Sequence, residues 1–208
     1  MELLLVLINS NYRKEYDSFV FLNSLFFKKK KKMEKDQYTE EEMMKMKPGQ
    51  LTDIGVCPTC FDRTHDGCIF KAKKEETVVY EDKDIECFFV GNPRNVGHMA
   101  ISTMTHYHDM REAPYELNDK IFRFAKKLMD IIVNVYHCER VYMCTMCDGL
   151  ANHYHVQLIP RYSTEDRGSR IFVNNRKPYE FDEEKFNQVR AEIQKFGEEF
   201  SKSDAKKL

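Results

Sequence analysis

The sequence predicts an α+β fold: an antiparallel sheet with one long helix packed on it, plus a helix at the C-terminus. Two observations carry this. Short apolar runs bounded by turn residues come in the order hairpin, strand, helix, two more strands. Two long stretches repeat apolar residues at spacing three or four. The 208 residues hold 33 basic and 34 acidic side chains. The resulting net charge of −1 gives no basic excess, so no nucleic-acid partner is expected. No stretch has the eighteen or so consecutive apolar residues of a membrane helix, so no membrane span is expected. Seven cysteines, an odd number and thinly spread, fit free or metal-bound thiols in a reducing, cytoplasmic setting.

Residues 1–32 differ from the rest. They join a short apolar start, a run of Phe and Leu, and Lys28–Lys32. Glu2 stands where a signal peptide wants a basic residue. A membrane-surface anchor with a basic flank is one reading. An extension ahead of a start at Met33, disordered or non-native, is the preferred one. Residues 33–50, acidic and rich in Lys and Met, read as a charged, exposed arm, with partial helix as an open alternative. The folded domain is expected over 51–163, with an extension over 164–208 carrying the last helix.

Within that domain, 77–80 and 85–90 read as strands joined by a charged turn. Asn92, Pro93 and Gly97 mark a loop, and 98–103 a third strand. Pro114 precedes a helix over 115–136, where Leu117, Ile121, Phe124, Leu128, Ile131 and Val135 form one stripe. Residues 140–145 are another strand, and 153–159 the next, which Pro160 ends. Asp182 starts the final helix, striped by Phe186, Val189, Ile193, Phe196 and Phe200. That stripe either packs on the sheet, the preferred reading, or joins a second copy.

The chemistry gathers in the last strand. Alternation aims His153, His155 and Gln157 at one face, about 7 Å between successive members. Two half-buried histidines bonded to backbone carbonyls would explain such a pair without function. The turn at Cys147, Asp148 and Gly149 and the arginines Arg161, Arg167 and Arg170 favour an anionic ligand instead. A neutral imidazole can attack phosphorus, and donors such as Gln157 and His98 can hold the charged oxygens. Gln157 donates hydrogen bonds but has no proton to give near neutral pH. Cys57-Pro58-Thr59-Cys60 has the spacing of a zinc knuckle. A redox dithiol is the poorer reading, because no strand precedes the pair and no helix is expected to start at it. Cys144 and Cys147 could complete a four-cysteine site, or Cys144 could be a buried apolar thiol. His137 and Cys138 read as surface or core packing.

The run His153-Tyr154-His155-Val156-Gln157-Leu158-Ile159 resembles the motif of the histidine triad (HIT) superfamily, with Gln in the third place. The Cys57/Cys60 pair, Val79-Tyr80-Glu81-Asp82, Asn92 to His98, His106 and Ile159-Pro160-Arg161 agree with that family in order. The resemblance covers 57–162 and implies a HIT-like sheet. It also implies an enzyme that hydrolyses or transfers nucleotide conjugates at the α-phosphate through a nucleotidyl-histidine. His155 would be the nucleophile, His153 its support, with Gln157 and His98 beside it. Asn92, Asn152, Gly149 and Arg161 would contact substrate. Gln in the third place is the pattern of the transferase and phosphorylase branches. The resemblance implies structural Zn²⁺ on Cys57, Cys60, His106 and His153, with His108 or Cys68 as competitors, and a homodimer. The substrate would be a nucleotide or dinucleoside polyphosphate. Phosphorolysis and a non-catalytic, zinc-stabilised binding module are the alternatives. The module gains support from Val90, Leu150 and Gln157, where the family carries an acidic residue, a polar turn and, in its hydrolases, a third histidine.

Overall fold

A computed structural model describes residues 35–71, 73–146, 151–167 and 176–204. The expected extension over 1–32 and Gly149 lie outside them. Lys35–Gln37 is a single 3₁₀ turn. From Tyr38 onward, three short helices lead to the sheet: α1 (Glu40–Met43), α2 (Pro48–Asp53) and α3 (Pro58–Thr64). Each has a local cause. Thr39 and Glu42 form a reciprocal capping box on α1, and proline opens both α2 and α3. The arm is therefore partly helical, the open alternative of the sequence reading, with α1 and the start of α2 inside it. Its Tyr38, Met43 and Met46 pack on a small apolar cluster of Leu51, Ile54, Phe61 and Ile69.

After the turn α4 (Lys74–Thr77), the strands are β1 (Val78–Glu81), β2 (Ile85–Phe89), β3 (Met99–Thr103), β4 (Arg140–Cys144) and β5 (His155–Arg161). They form one antiparallel sheet in the order β1-β2-β3-β5-β4. The long helix α5 (Tyr115–Tyr136) has the bounds read from its stripe, and α6 (Glu183–Asp204) follows the sheet. Ile121, Phe124, Leu128, Ile131 and Ile132 of α5 are buried against one sheet face with Ile85, Cys87, Phe89, Ile101, Tyr154, Val156 and Leu158. Phe186, Val189 and Ile193 of α6 enter the same core, so that stripe packs internally and the core runs on past residue 163. His137 ends α5 in the left-handed conformation and Cys138 is buried in the core.

Two local readings change. The last strand begins at His155 and not at His153, and it runs through Pro160 to Arg161. Pro160 is tolerated because β3 pairs with β5 only as far as Met99↔Leu158. The backbone of Pro160 faces the loop beyond that end, where its carbonyl accepts from Asn95 Nδ2 at 3.1 Å. The missing N–H therefore deprives no neighbouring strand.

Candidate functional site

The second sheet face carries the polar residues. Ser102 lies opposite His155 and Ala100 opposite Gln157, so two small side chains leave room over the row. His98 enters β3 just after Gly97, whose φ is +76°. A Cβ there would meet the Tyr136 ring at 2.9 Å, so the turn that delivers His98 requires glycine.

Backbone carbonyls and amides fix the histidine tautomers. His155 Nδ1 lies 2.8 Å from the His153 carbonyl, an acceptor only, so Nδ1 carries the proton. The lone pair therefore sits on Nε2, where Gln157 Nε2 donates to it at 3.1 Å. His98 Nδ1 accepts the Arg94 main-chain N–H at 3.0 Å, which leaves the proton on its Nε2. That Nε2–H and Gln157 Oε1 are both buried, and Gln157 is the side chain that stabilises the protonated His98 ring. Burial, then the charges of Arg176 and Arg94, depress the His98 pKa to about 3, so the ring is neutral. The row thus offers a bare imidazole nitrogen flanked by uncharged donors, with the imidazole half-buried and open to a ligand.

The His153 ring turns away from its neighbours in the row and toward the cysteines of α3. Its Nε2 donates to the Thr103 carbonyl at 2.7 Å, so Nδ1 is bare. That Nδ1 lies 3.5 Å from Cys57 Sγ and 3.3 Å from Cys60 Sγ. His106 Nδ1 is 3.4 Å from Cys60 Sγ. The four ligand atoms lie within 4.8 Å of one another, a cluster that could bind a metal. In a tetrahedron with Zn–S near 2.3 Å and Zn–N near 2.0 Å, sulfur and nitrogen stand about 3.5 Å apart. The S···N contacts match that edge, and the bond from His153 to Thr103 O supplies the outer support that a ligating imidazole needs. Burial and the neighbouring Cys57 push the Cys60 thiol up to about 12. A helix does start at this pair, with Cys57 as the N-cap of α3. Both thiols nevertheless face imidazoles. Arg63 ties α3 to the sheet, donating to Thr103 O at 2.8 Å and pairing with Glu86 at 3.0 Å.

The competitors are engaged elsewhere. His108 pairs with Glu112 at 2.9 Å, and Cys68 packs on the small apolar cluster. Cys144 lies opposite Gln157 on β4, while Cys147 is outside the described residues. Two expected substrate contacts, Arg161 and Asn152, are engaged elsewhere, and the third, Asn92, is exposed. Arg161 is buried in an ion pair with Glu139 at 2.8 Å. Asn152 Nδ2 donates to the His108 carbonyl. Asn92 is exposed, and its carbonyl accepts from Arg176 at 3.1 Å. Two loop residues that sequence reasoning missed bear on the His98 ring: the Arg94 main-chain N–H donates to it, and the charges of Arg176 and Arg94 lower its pKa. Both lie in loops far from the motif, where periodicity gives no signal.

No family model and no curated protein matches the chain. Solved structures of histidine triad proteins match it at low identity. One is a hypothetical histidine triad nucleotide-binding protein from Sulfolobus tokodaii, 17% identical, covering 67% of this chain and 90% of its own, with a TM-score of 0.48. A zinc-bound histidine triad family protein from Mycobacterium smegmatis is 16% identical over 58% of this chain and 86% of its own, with a TM-score of 0.46. The diadenosine triphosphate hydrolase of Plasmodium falciparum, in complex with Cyclomarin A, is 17% identical over 62% of this chain and 81% of its own, with a TM-score of 0.45. Among the described residues, no helix is long and apolar enough to cross a membrane.

Proposed function

We propose that this chain is a histidine-triad-type enzyme that moves a nucleotidyl group through His155. The observation that carries the reading is the tautomer of His155. Its Nδ1–H is held by the His153 carbonyl, and its Nε2 lone pair is presented beside Gln157. Substrate displaces the Gln157 amide from Nε2. The lone pair then attacks the α-phosphorus, the N–P bond forms, and the bond from phosphorus to the leaving oxygen breaks. The leaving group takes that electron pair. The His153 carbonyl faces the positive charge that develops on the ring, and Gln157 and His98 donate to the phosphoryl oxygens. An acceptor then attacks phosphorus, the N–P bond breaks, and the acceptor's proton passes to solvent.

Water as acceptor makes the enzyme a hydrolase, and an alcohol or phosphate makes it a transferase or phosphorylase. Phosphorolysis is the second reading, and Gln157 favours it, because an inorganic phosphate acceptor needs less proton transfer than water. Cys57, Cys60, His106 and His153 would hold a structural Zn²⁺, whose role is to fix α3 and the His153 main chain. A homodimer through the β4 edge and a cytoplasmic setting complete the proposal.

The test is turnover of a panel of nucleotide conjugates, with and without phosphate, by wild type and His155→Ala. Wild type is expected to release a nucleoside monophosphate or diphosphate. The variant should lose at least about 10³-fold in kcat while keeping its circular dichroism and Tm. Equal turnover by His155→Ala removes the nucleophile assignment. Tight nucleotide binding without products moves the protein to the binding-module reading.

A further inference from the structure

The Nε2 of His155 is bare because the His153 carbonyl holds the proton on Nδ1. Whatever aims that carbonyl therefore belongs to the site. The peptide unit between His153 and Tyr154 lies beyond the paired register of β3 and β5, which ends at Ser102↔His155. A loop holds it instead. The Tyr154 N–H donates to the Tyr107 carbonyl at 2.7 Å. A peptide is planar and trans, so its N–H and C=O point in opposite directions. With the N–H on Tyr107 O, the C=O points at the His155 ring, 2.8 Å from Nδ1. The two bonds share one amide and polarise each other.

The Tyr107 carbonyl must in turn be placed. It sits in the connection from β3 to α5. The start of that connection is tied by the Met104 N–H, which donates to the Asp84 carbonyl at 2.8 Å. Its end is tied by Asn118 of α5, whose Nδ2 donates to the Met110 carbonyl at 3.0 Å and the Ala113 carbonyl at 3.1 Å. Between these ties, Asn152 Nδ2 donates to the His108 carbonyl. That bond and the one from Tyr154 to Tyr107 are adjacent. Together they fasten 107–108 to 152–154, immediately ahead of the nucleophile.

We propose that Asn152 is a positioning residue: by holding His108 it seats the Tyr107 carbonyl, which aims the His153 carbonyl and keeps His155 in the tautomer with a bare Nε2. The kinetic part of this rests on the nucleotidyl-transfer reading, and the tautomer does not. Without the Asn152 bond the loop loosens and the His153 carbonyl loses its aim. Solvent then takes the proton from Nδ1 and returns one to Nε2, where it blocks attack. Asn152 acts through the main chain and touches no substrate atom.

The experiment has two arms and two variants. Asn152→Ala removes the donor, and Asn152→Asp removes it at unchanged size. In the first arm, ring ¹⁵N shifts of the free protein at neutral pH report which nitrogen of His155 holds the proton, with the signals assigned by their loss in His155→Ala. Wild type is expected to show Nδ1 protonated and Nε2 bare, and both variants a mixture of tautomers. A wild-type tautomer in both variants overturns the assignment. So does a mixture that appears only with loss of bound zinc, which would place the effect at the cysteines. In the second arm, kcat and KM are measured with diadenosine tetraphosphate. Both variants should lose about tenfold in kcat with KM within about twofold of wild type. Asn152→Gln, which keeps the donor on a longer stem, should recover part of the loss. A raised KM at unchanged kcat would make Asn152 a substrate contact and overturn the assignment. If wild type does not turn over this substrate or any other conjugate, nucleotidyl transfer fails by itself, and the tautomer arm alone decides the role of Asn152.

Discussion

At His155 the main chain decides which nitrogen is free. A carbonyl accepts and never donates, so the 2.8 Å contact from Nδ1 to His153 O commits the lone pair to Nε2. The same logic at His98 leaves a neutral ring, with consequences for stability. Its folded pKa of about 3 lies below the ordinary 6.5. Below pH 6.5 the unfolded chain takes a proton that the folded chain refuses. The contribution is therefore whole above pH 6.5 and falls with acid, by up to about 1.4 kcal/mol per pH unit, until about pH 3. Urea unfolding at pH 7 and pH 5 should show a smaller acid loss for His98→Asn than for wild type. Equal losses would mean that His98 does not titrate this way. The pairing of His155 with Gln157 was legible in the sequence, because strand alternation fixes a face. The place of His153 was legible in part: the resemblance puts it with Cys57, Cys60 and His106, where its ring turns, while alternation counts it in the row although the strand starts two residues later. Arg161 misled for a similar reason: alternation gives a side chain's face but not its partner, and Glu139 is that partner.

At the scale of elements, the two long helices were readable because each buries a continuous stripe. The short helices α1 to α3 were not, because a helix of one or two turns has too few residues to show a period. Their caps, Thr39 and the two prolines, were the available signal. On α6, Gly197 looks out of place, since glycine inside a helix costs about 1 kcal/mol relative to alanine. Here a Cβ would collide with the Tyr80 ring of β1. Gly197→Ala should therefore lower the Tm and not raise it. A higher Tm in a thermal melt would mean that α6 does not lie against β1 so closely. The element formed by α3 and its cysteines gives a second test. Cys57→Ser should purify with less than half the zinc of wild type and melt several degrees lower. Equal zinc by atomic emission would remove Cys57 from the cluster.

At the scale of the molecule, the sheet divides the labour. One face meets α5 and α6 and forms the core, while the other holds the imidazole row and the thiol–imidazole cluster. The cluster and the row share one residue. His153 offers its ring to the cluster and its carbonyl to His155, so a disturbance at the cysteines reaches the nucleophile through a single peptide unit. The antiparallel α+β arrangement was legible from the order of elements alone. The closing of the C-terminal helix onto the same core was the preferred of two readings and is what the stripe of Phe186, Val189 and Ile193 does, although an amphipathic stripe alone does not name its partner.

The central claim is that His155 Nε2 becomes covalently nucleotidylated. Intact-protein mass spectrometry after brief exposure to adenylyl and guanylyl conjugates, quenched and peptide-mapped, tests it most directly. A gain of one nucleoside monophosphate on His155, lost in His155→Ala, is the expected result. Product release by wild type with the adduct on another residue, or with the same adduct retained in His155→Ala, would contradict it.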